Sequence, residues 1–312
     1  MGAGSRWQNH RVLSRLPLLL AAAVVGLAGC SSPIEPPDAN EPAVPLATET
    51  AADERPPAAR VVLDYVPVDV ARVTVTDYDQ VALQLGLGEL SSDLDAEERS
   101  EFWRRAETET VLLADGLLRP VQGRLQQQFS IGQEDVRWEA RLFDAAGREV
   151  GFVQQWAAVV DPAVLRRATA AGVGALRGAT VVAEESLVLS GVAAPVEEPW
   201  GGDQLAALVD GPATSTYLEL GCVDEAGAGD LDELAAYTLS FGSVLATARL
   251  GAPRRDLFDR LEAAAGDEAF AEVFSGGAAD PSSGRLGYEI ASPARAAAIT
   301  LRRQLPFAAC AD

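Results

Sequence analysis

Hydrophobic and polar positions alternate most clearly between residues 136 and 156. Asp144-Ala-Ala-Gly147 suits a type I turn closed by a left-handed Gly147, so the segment reads as a hairpin with a three-residue loop. Pairing Asp144 with Arg148 sets Leu142 opposite Val150 and Ala140 opposite Phe152. Val136, Trp138, Ala140, Leu142, Val150, Phe152 and Trp156 then share an apolar face. Arg137, Glu139, Arg141, Glu149 and Gln155 share the polar one. A one-residue slip would mix the two sets, so the pattern selects the register. It also assigns Trp138 and Trp156 to the core, not to a sugar-stacking surface.

The pattern on either side predicts a mixture of strands and helices. Arg72-Val-Thr-Val-Thr76 alternates like a half-buried strand. Asp77-Tyr-Asp-Gln80 has the form of a capping box opening a helix to Leu85, with Gly86 ending it. Asp95 caps a second helix that carries Phe102, Trp103 and Ala106 inward. Asp161-Pro162 opens a third, with Val164, Leu165, Ala168 and Ala171 on one face and Gly172 closing it. Residues 181–184 and 186–190 read as short strands. In the second half, 214–223 and 237–250 read as strands, the latter bent or double. Residues 254–265 and 267–274 read as helices, and 285–290 as a strand. Ser292-Pro293 starts a last helix with Ala294, Ala298, Leu301 and Leu305 on one face. The expectation is an α+β fold: two similar-sized lobes, 61–191 and 203–312, with mostly antiparallel sheets and packed helices. Residues 192–202, with Pro195, Pro199 and Gly201-Gly202, read as the linker between them. Both halves run in a β-α-β-β-α-β-like order, yet no residue-level repeat joins them.

The N-terminus has a different character. Arg6, Arg11 and Arg15 precede an apolar run, Leu16 to Leu27, and no acid occurs before Glu35. The run is shorter than the ~20 residues that a spanning helix needs. A basic stretch before a short apolar one is the pattern of a secretory signal. It ends Leu27-Ala28-Gly29-Cys30, which resembles the lipobox of bacterial lipoproteins. That resemblance implies a signal peptide over 1–29, removed before Cys30, and a diacylglyceryl thioether on Cys30. It places the mature chain on the extracytoplasmic face of a cell membrane. Residues 30–60, with Pro33, Pro36, Pro37, Pro42, Pro45, Pro56 and Pro57, read as a disordered tether. At about 3.1 Å per residue such chain reaches roughly 90 Å. Tyr65-Val-Pro-Val-Asp69 and Val73-Thr-Val-Thr-Asp77 resemble secreted actinobacterial lipoproteins, a likeness that implies no activity.

Composition narrows the chemistry. The chain carries 46 acids against 25 basic residues, a net charge of −21, and loss of the three N-terminal arginines deepens it. Such a balance excludes nucleic acid as a partner, because phosphate binding draws on clustered cations. There is no Lys, and the one His, His10, lies in the signal. Imidazole-based triads and lysine Schiff bases are therefore excluded from the mature chain. Gly172-Val-Gly174-Ala-Leu-Arg-Gly178 is near a dinucleotide loop, but its last gap is one residue too long and it follows a helix. No cofactor is expected.

Carboxylates remain. Asp224, Asp230 and Asp232, with Glu225 and Glu233, surround a Gly-Ala-Gly stretch and are weak candidates for a hard cation. Ala226 and Ala228 stand where further ligands belong, so an exposed acidic loop is the plainer reading. Asp93, Asp95, Glu97 and Glu98 suit the start of a helix dipole. Removal of Cys30 as the lipid anchor leaves Cys222 and Cys310, which in an oxidising compartment are expected to pair. The expected function is a membrane-anchored extracytoplasmic module, non-catalytic, that binds a protein or another envelope component. The alternative is a carboxylate-dependent hydrolase of envelope glycans, which requires two facing acids about 5–10 Å apart.

Overall fold

A computed structural model describes residues 55–192, 196, 198–223 and 231–310. The signal segment with Leu27, Ala28, Gly29 and Cys30, and the acids Asp224 and Asp230, lie outside the described residues. In chain order the first half comprises α1 (Ala58–Val61), β1 (Arg72–Asp77), α2 (Tyr78–Gln84), α3 (Ala96–Glu109), α4 (Gln122–Phe129), β2 (Val136–Phe143), β3 (Glu149–Trp156), α5 (Pro162–Ala170), β4 (Thr180–Val182) and β5 (Leu187–Ser190). The second comprises α6 (Gly202–Leu208), β6 (Ser215–Leu220), β7 (Ala236–Phe241), β8 (Leu245–Arg249), α7 (Leu257–Gly266), α8 (Glu268–Ala271), β9 (Phe274–Asp280), β10 (Arg285–Ile290) and α9 (Pro293–Leu301). No described helix is long and apolar enough to cross a membrane.

The fold is α+β with antiparallel pairing throughout its sheet, as the patterning predicts. The two halves are the wings of one ten-stranded sheet, ordered β4-β5-β3-β2-β1-β6-β7-β8-β10-β9. Read outward from the centre, each wing repeats the same order: first, second, third, fifth and fourth strand of its half. The wings meet where β1 pairs with β6, Val73 opposite Leu218 and Val75 opposite Thr216. The similar element order of the halves therefore extends to identical topology. Closure through β1 and β6 gives each central strand two neighbours, which an isolated five-stranded wing would deny it.

All three helix starts are capped, although at Asp77 only one half of the expected capping box forms. The Asp77 side chain accepts from the Gln80 amide, Asp95 and Glu98 form a capping box, and Asp161 accepts from the Ala163 amide. The hairpin turn also forms, with the Gly147 amide donating to the Asp144 carbonyl. The register beyond it differs from the expected one. A bulge between Leu142 and Phe143 brings Leu142 opposite Gly151, and Ala140 opposite Val153. A second, between Val136 and Trp138, moves Val136 to the other face. Trp138, Ala140 and Leu142 thus join one core, while Val136, Phe152 and Trp156 join another, and Val150 is exposed. Both faces of the sheet are covered, so one-sided alternation was the wrong template.

Four further corrections concern the boundaries and the second wing. The folded part begins before residue 61: Ala58 and Ala59 are helical and buried, so the tether stops short of 60. Within the expected linker 192–202, the described Trp200 is buried and its indole N–H donates to the Val70 carbonyl at 2.8 Å. Residues 274–280 form a strand that the sequence did not announce. In α9 the buried residues are Ala296, Ala297, Ile299 and Thr300, whereas Ala294 and Leu301 are exposed. Cys222 and Cys310 are joined in a disulfide, their Cα atoms 5.7 Å apart.

Candidate functional site

One face of the sheet carries α1 and α6 over Val73, Val75, Ala140, Leu142 and Leu218. The other carries two helical layers: α2 to α5 over the first wing, α7 to α9 over the second. Where these layers meet, over β2, β1, β6 and β7, the sheet face is polar. The strand registers align Glu139, Thr76 and Ser215 in one row, and Arg141, Thr74 and Tyr217 in the next. This polar seam is the first place to look for chemistry.

Its charges are consumed internally. Glu139 is fully buried and accepts hydrogen bonds from the Leu117 amide, from Gln154 Nε2 at 2.9 Å and from Gln133 Nε2 at 3.3 Å. Burial pushes its carboxyl up, opposed by those donors and by Arg141. Glu219 is held by the hydroxyls of Tyr217 at 2.5 Å and Tyr237 at 2.6 Å, and by Arg303 at 2.7 Å. Burial, followed by charged or polar neighbours including Glu219, pushes both phenols up, so they stay protonated donors. Thr76 and Ser215 share a hydrogen bond and fasten residues 111–114 across the row. Glu134 accepts from the Trp103 indole and Gln122, and Asp135 from the amides of Ser92 and Gly132. Each buried carboxylate thus has fixed donors, as buried polar groups require.

Their spacing is equally informative. Glu139 lies in the row of Ser215, and Glu219 lies four residues further along β6. Two strand spacings across and four residues along amount to about 17 Å, well beyond a glycosidase pair. Asp77 has a carboxyl pushed up to about 6 by burial, against the Gln80 amide bond. It caps α2. A carboxyl held up in this way makes stability fall as pH rises from about 4 towards 6, because the folded state favours the proton. Asp77→Asn keeps the cap without the buried charge. Its expected gain at pH 7 is on the order of 1–3 kcal/mol, absent at pH 4, as denaturant unfolding at the two pH values would show.

Two of the open concavities lie away from the seam. A polar cleft of 680 Å³ lies beside α2, β2 and β3, lined by Asp79, Leu83, Glu89, Arg137 and Trp156. Its two acids, Asp79 and Glu89, both pair with the Arg137 guanidinium. Trp156 is a core residue, as the sequence requires, although its indole N–H has no partner. The second concavity is an apolar groove of 470 Å³ between α7, α8 and β9.

Of the candidate cation ligands Asp224, Asp230 and Asp232, only Asp232 lies among the described residues. Asp232 contributes only backbone: its carbonyl accepts from Arg254 and Arg260, and its amide donates to Asp256. Among the described residues no group of acids and cysteines forms a cation site. Asp93, Glu97 and Glu98 are exposed around the start of α3, with Asp95 as its cap. Nothing in the sequence distinguishes Glu139, Glu219 or Asp256, because a lone acid in an alternating strand or at a helix start looks solvated in one dimension. Compared with models of known protein families, with curated proteins and with solved structures, the chain matches none of them.

Proposed function

We propose that the protein is a lipid-anchored extracytoplasmic binding module, held to a cell membrane through Cys30 and non-catalytic in its folded part. The anchor rests on the lipobox-like Leu27-Ala28-Gly29-Cys30. One thioether-linked diacylglyceryl group supplies two acyl chains, enough for stable attachment at about 0.8 kcal/mol per buried methylene. The observation that carries the binding reading is a contrast. Buried acids are saturated by internal donors, while an apolar groove stands open at the sheet edge with an unpartnered tyrosine hydroxyl in its lining. Binding sites of this kind combine apolar walls with few polar groups. Nucleic acid is excluded as the partner by charge, and a protein or envelope component is the partner class.

Cys30→Ala is expected to give uncleaved, unlabelled precursor in cells fed a radiolabelled fatty acid, while wild-type protein carries label in the membrane fraction. Wild-type mature protein found unlabelled in the medium would refute the anchor. Turnover of purified cell-wall glycan by the protein, abolished by a single Asp or Glu substitution, would instead establish the hydrolase reading.

A further inference from the structure

The groove beside β9 has three properties that together specify what fits it. Its walls are apolar: Phe258, Leu261 and Ala265 from α7, with Phe270 and Ala271 from α8. Phe258 is 60% exposed, an unusual condition for a large aromatic ring beside its own core. Its floor is opened by a bulge. Gly287 pairs with Ala278 and Glu289 with Ser275, so Gly276 and Gly277 together face the single residue Tyr288. Gly276 has φ +62°, and a Cβ on Gly277 would stand 2.6 Å from Leu261 Cδ1. The two glycines let other side chains sit directly on the strand: Leu261 packs on Gly277, and the Glu289 carboxyl lies over Gly276. Lastly, Tyr288 lines the recess, is 3% exposed, and its hydroxyl has no hydrogen-bond partner. A buried unpaired hydroxyl costs on the order of 1–3 kcal/mol, which a ligand acceptor would recover.

The first wing shows the same position closed. There β4 lies beside α5, and Leu165, Ala168, Val173 and Leu176 are buried with Val181 packed against them. The second wing replaces that filling with small residues on β9 and leaves Phe258 uncovered.

Charge selects the occupant. Glu262 lines the groove and the Glu289 carboxyl lies against Gly276 in its floor, both exposed, while Asp259 and Glu268 are exposed on the same two helices and Glu272 is paired with Arg295. An anionic lipid headgroup is repelled by such a rim. So is the preceding segment of this chain, which carries Glu35, Asp38, Glu41, Glu49, Asp53 and Glu54. A second copy, with a net charge of −21 over the full chain, is repelled likewise. We infer that the groove docks a basic peptide segment of a partner protein, one large apolar side chain entering the recess and a backbone carbonyl accepting from the Tyr288 hydroxyl. This inference rests on the binding-module reading and names the partner chemistry for it.

The test uses the full lipidated chain in neutral detergent. The probe is a capped nonapeptide of alternating lysine and alanine with one central phenylalanine, and binding is followed by calorimetry. Saturable one-to-one binding is expected, weakened by added salt. Tyr288→Phe, which keeps the packing and removes only the hydroxyl, and Phe258→Ser, at an exposed position, should each weaken it about tenfold or more. A peptide with glutamate for lysine, or alanine for the central phenylalanine, should not bind. Binding that is unchanged in both variants, equal affinity for the glutamate peptide, or no binding of the basic peptide each overturns the proposal. None of these results touches the binding-module reading, which falls only on glycan turnover as described above.

Discussion

Asp256→Ala is expected to destabilise the protein by about 3–5 kcal/mol. Asp256 is 5% exposed and receives both Arg254 and Arg260 at 2.7 Å. Arg260 is fully buried. It also donates to the carbonyls of Phe307 at 2.8 Å and Ala309 at 2.6 Å, and to that of Asp232. It thereby ties α7 to the C-terminal segment and to the loop before β7. Without Asp256 this guanidinium remains buried with carbonyls but no counter-charge, which is why removing one partner costs more than the pair contributes. Burial alone would raise the Asp256 carboxyl, but the hydrogen bond from Arg254 and the charge and hydrogen bond of Arg260 outweigh it and hold it at about 2. The folded state therefore sheds the proton more readily than the unfolded chain. The contribution is complete above pH 4 and is lost as pH falls towards 2. Urea unfolding at pH 7 measures the first effect. An acid-unfolding midpoint higher in the variant than in wild type measures the second. Equal stability at pH 7 would contradict the assignment of this pair as the clamp of the C-terminal segment.

Reduction of the disulfide is the second large effect. Cys222 and Cys310 are 88 residues apart in sequence. In the loop-entropy account, opening such a loop destabilises by about 4–5 kcal/mol, a model-dependent figure. The bond fixes the end of β6 to the C-terminal segment, beside the Leu234 amide, which approaches both sulfurs. Cys222→Ser with Cys310→Ser should lower the unfolding midpoint in non-reducing buffer and abolish the dependence of that midpoint on dithiothreitol. Quantitative alkylation of both thiols in unreduced wild-type protein would contradict the bond. Asp256 and the disulfide hold neighbouring parts of the same C-terminal segment. Their losses should be non-additive in a double-mutant cycle, the triple substitution costing less than the sum.

The sequence by itself determined what depends on near neighbours. Asp77, Asp95 and Asp161 announce helix starts because a capping carboxylate binds amides two or three residues away, so partner and signal are adjacent in the chain. The Asp144 to Gly147 turn is legible for the same reason. Exclusion of lysine chemistry needs only an inventory, and the cysteine pair needs only a count. What the tertiary structure decided depends on distant contacts. Two bulges divide the apolar residues of β2 and β3 between both sheet faces because helices cover each side. Glu139 reads as a solvated alternate position, yet it is buried because Leu117, Gln133 and Gln154 converge on it. The alanine-rich α9 has no dominant apolar stripe, so its partners, α3 among them, choose which residues face inward. β9, with Ser275-Gly-Gly-Ala278, has little strand propensity and pairs because β10 offers it a ladder. The groove was illegible for the same reason: Phe258 and Tyr288 look like ordinary core residues until the fold leaves one uncovered and the other without a hydrogen-bond partner.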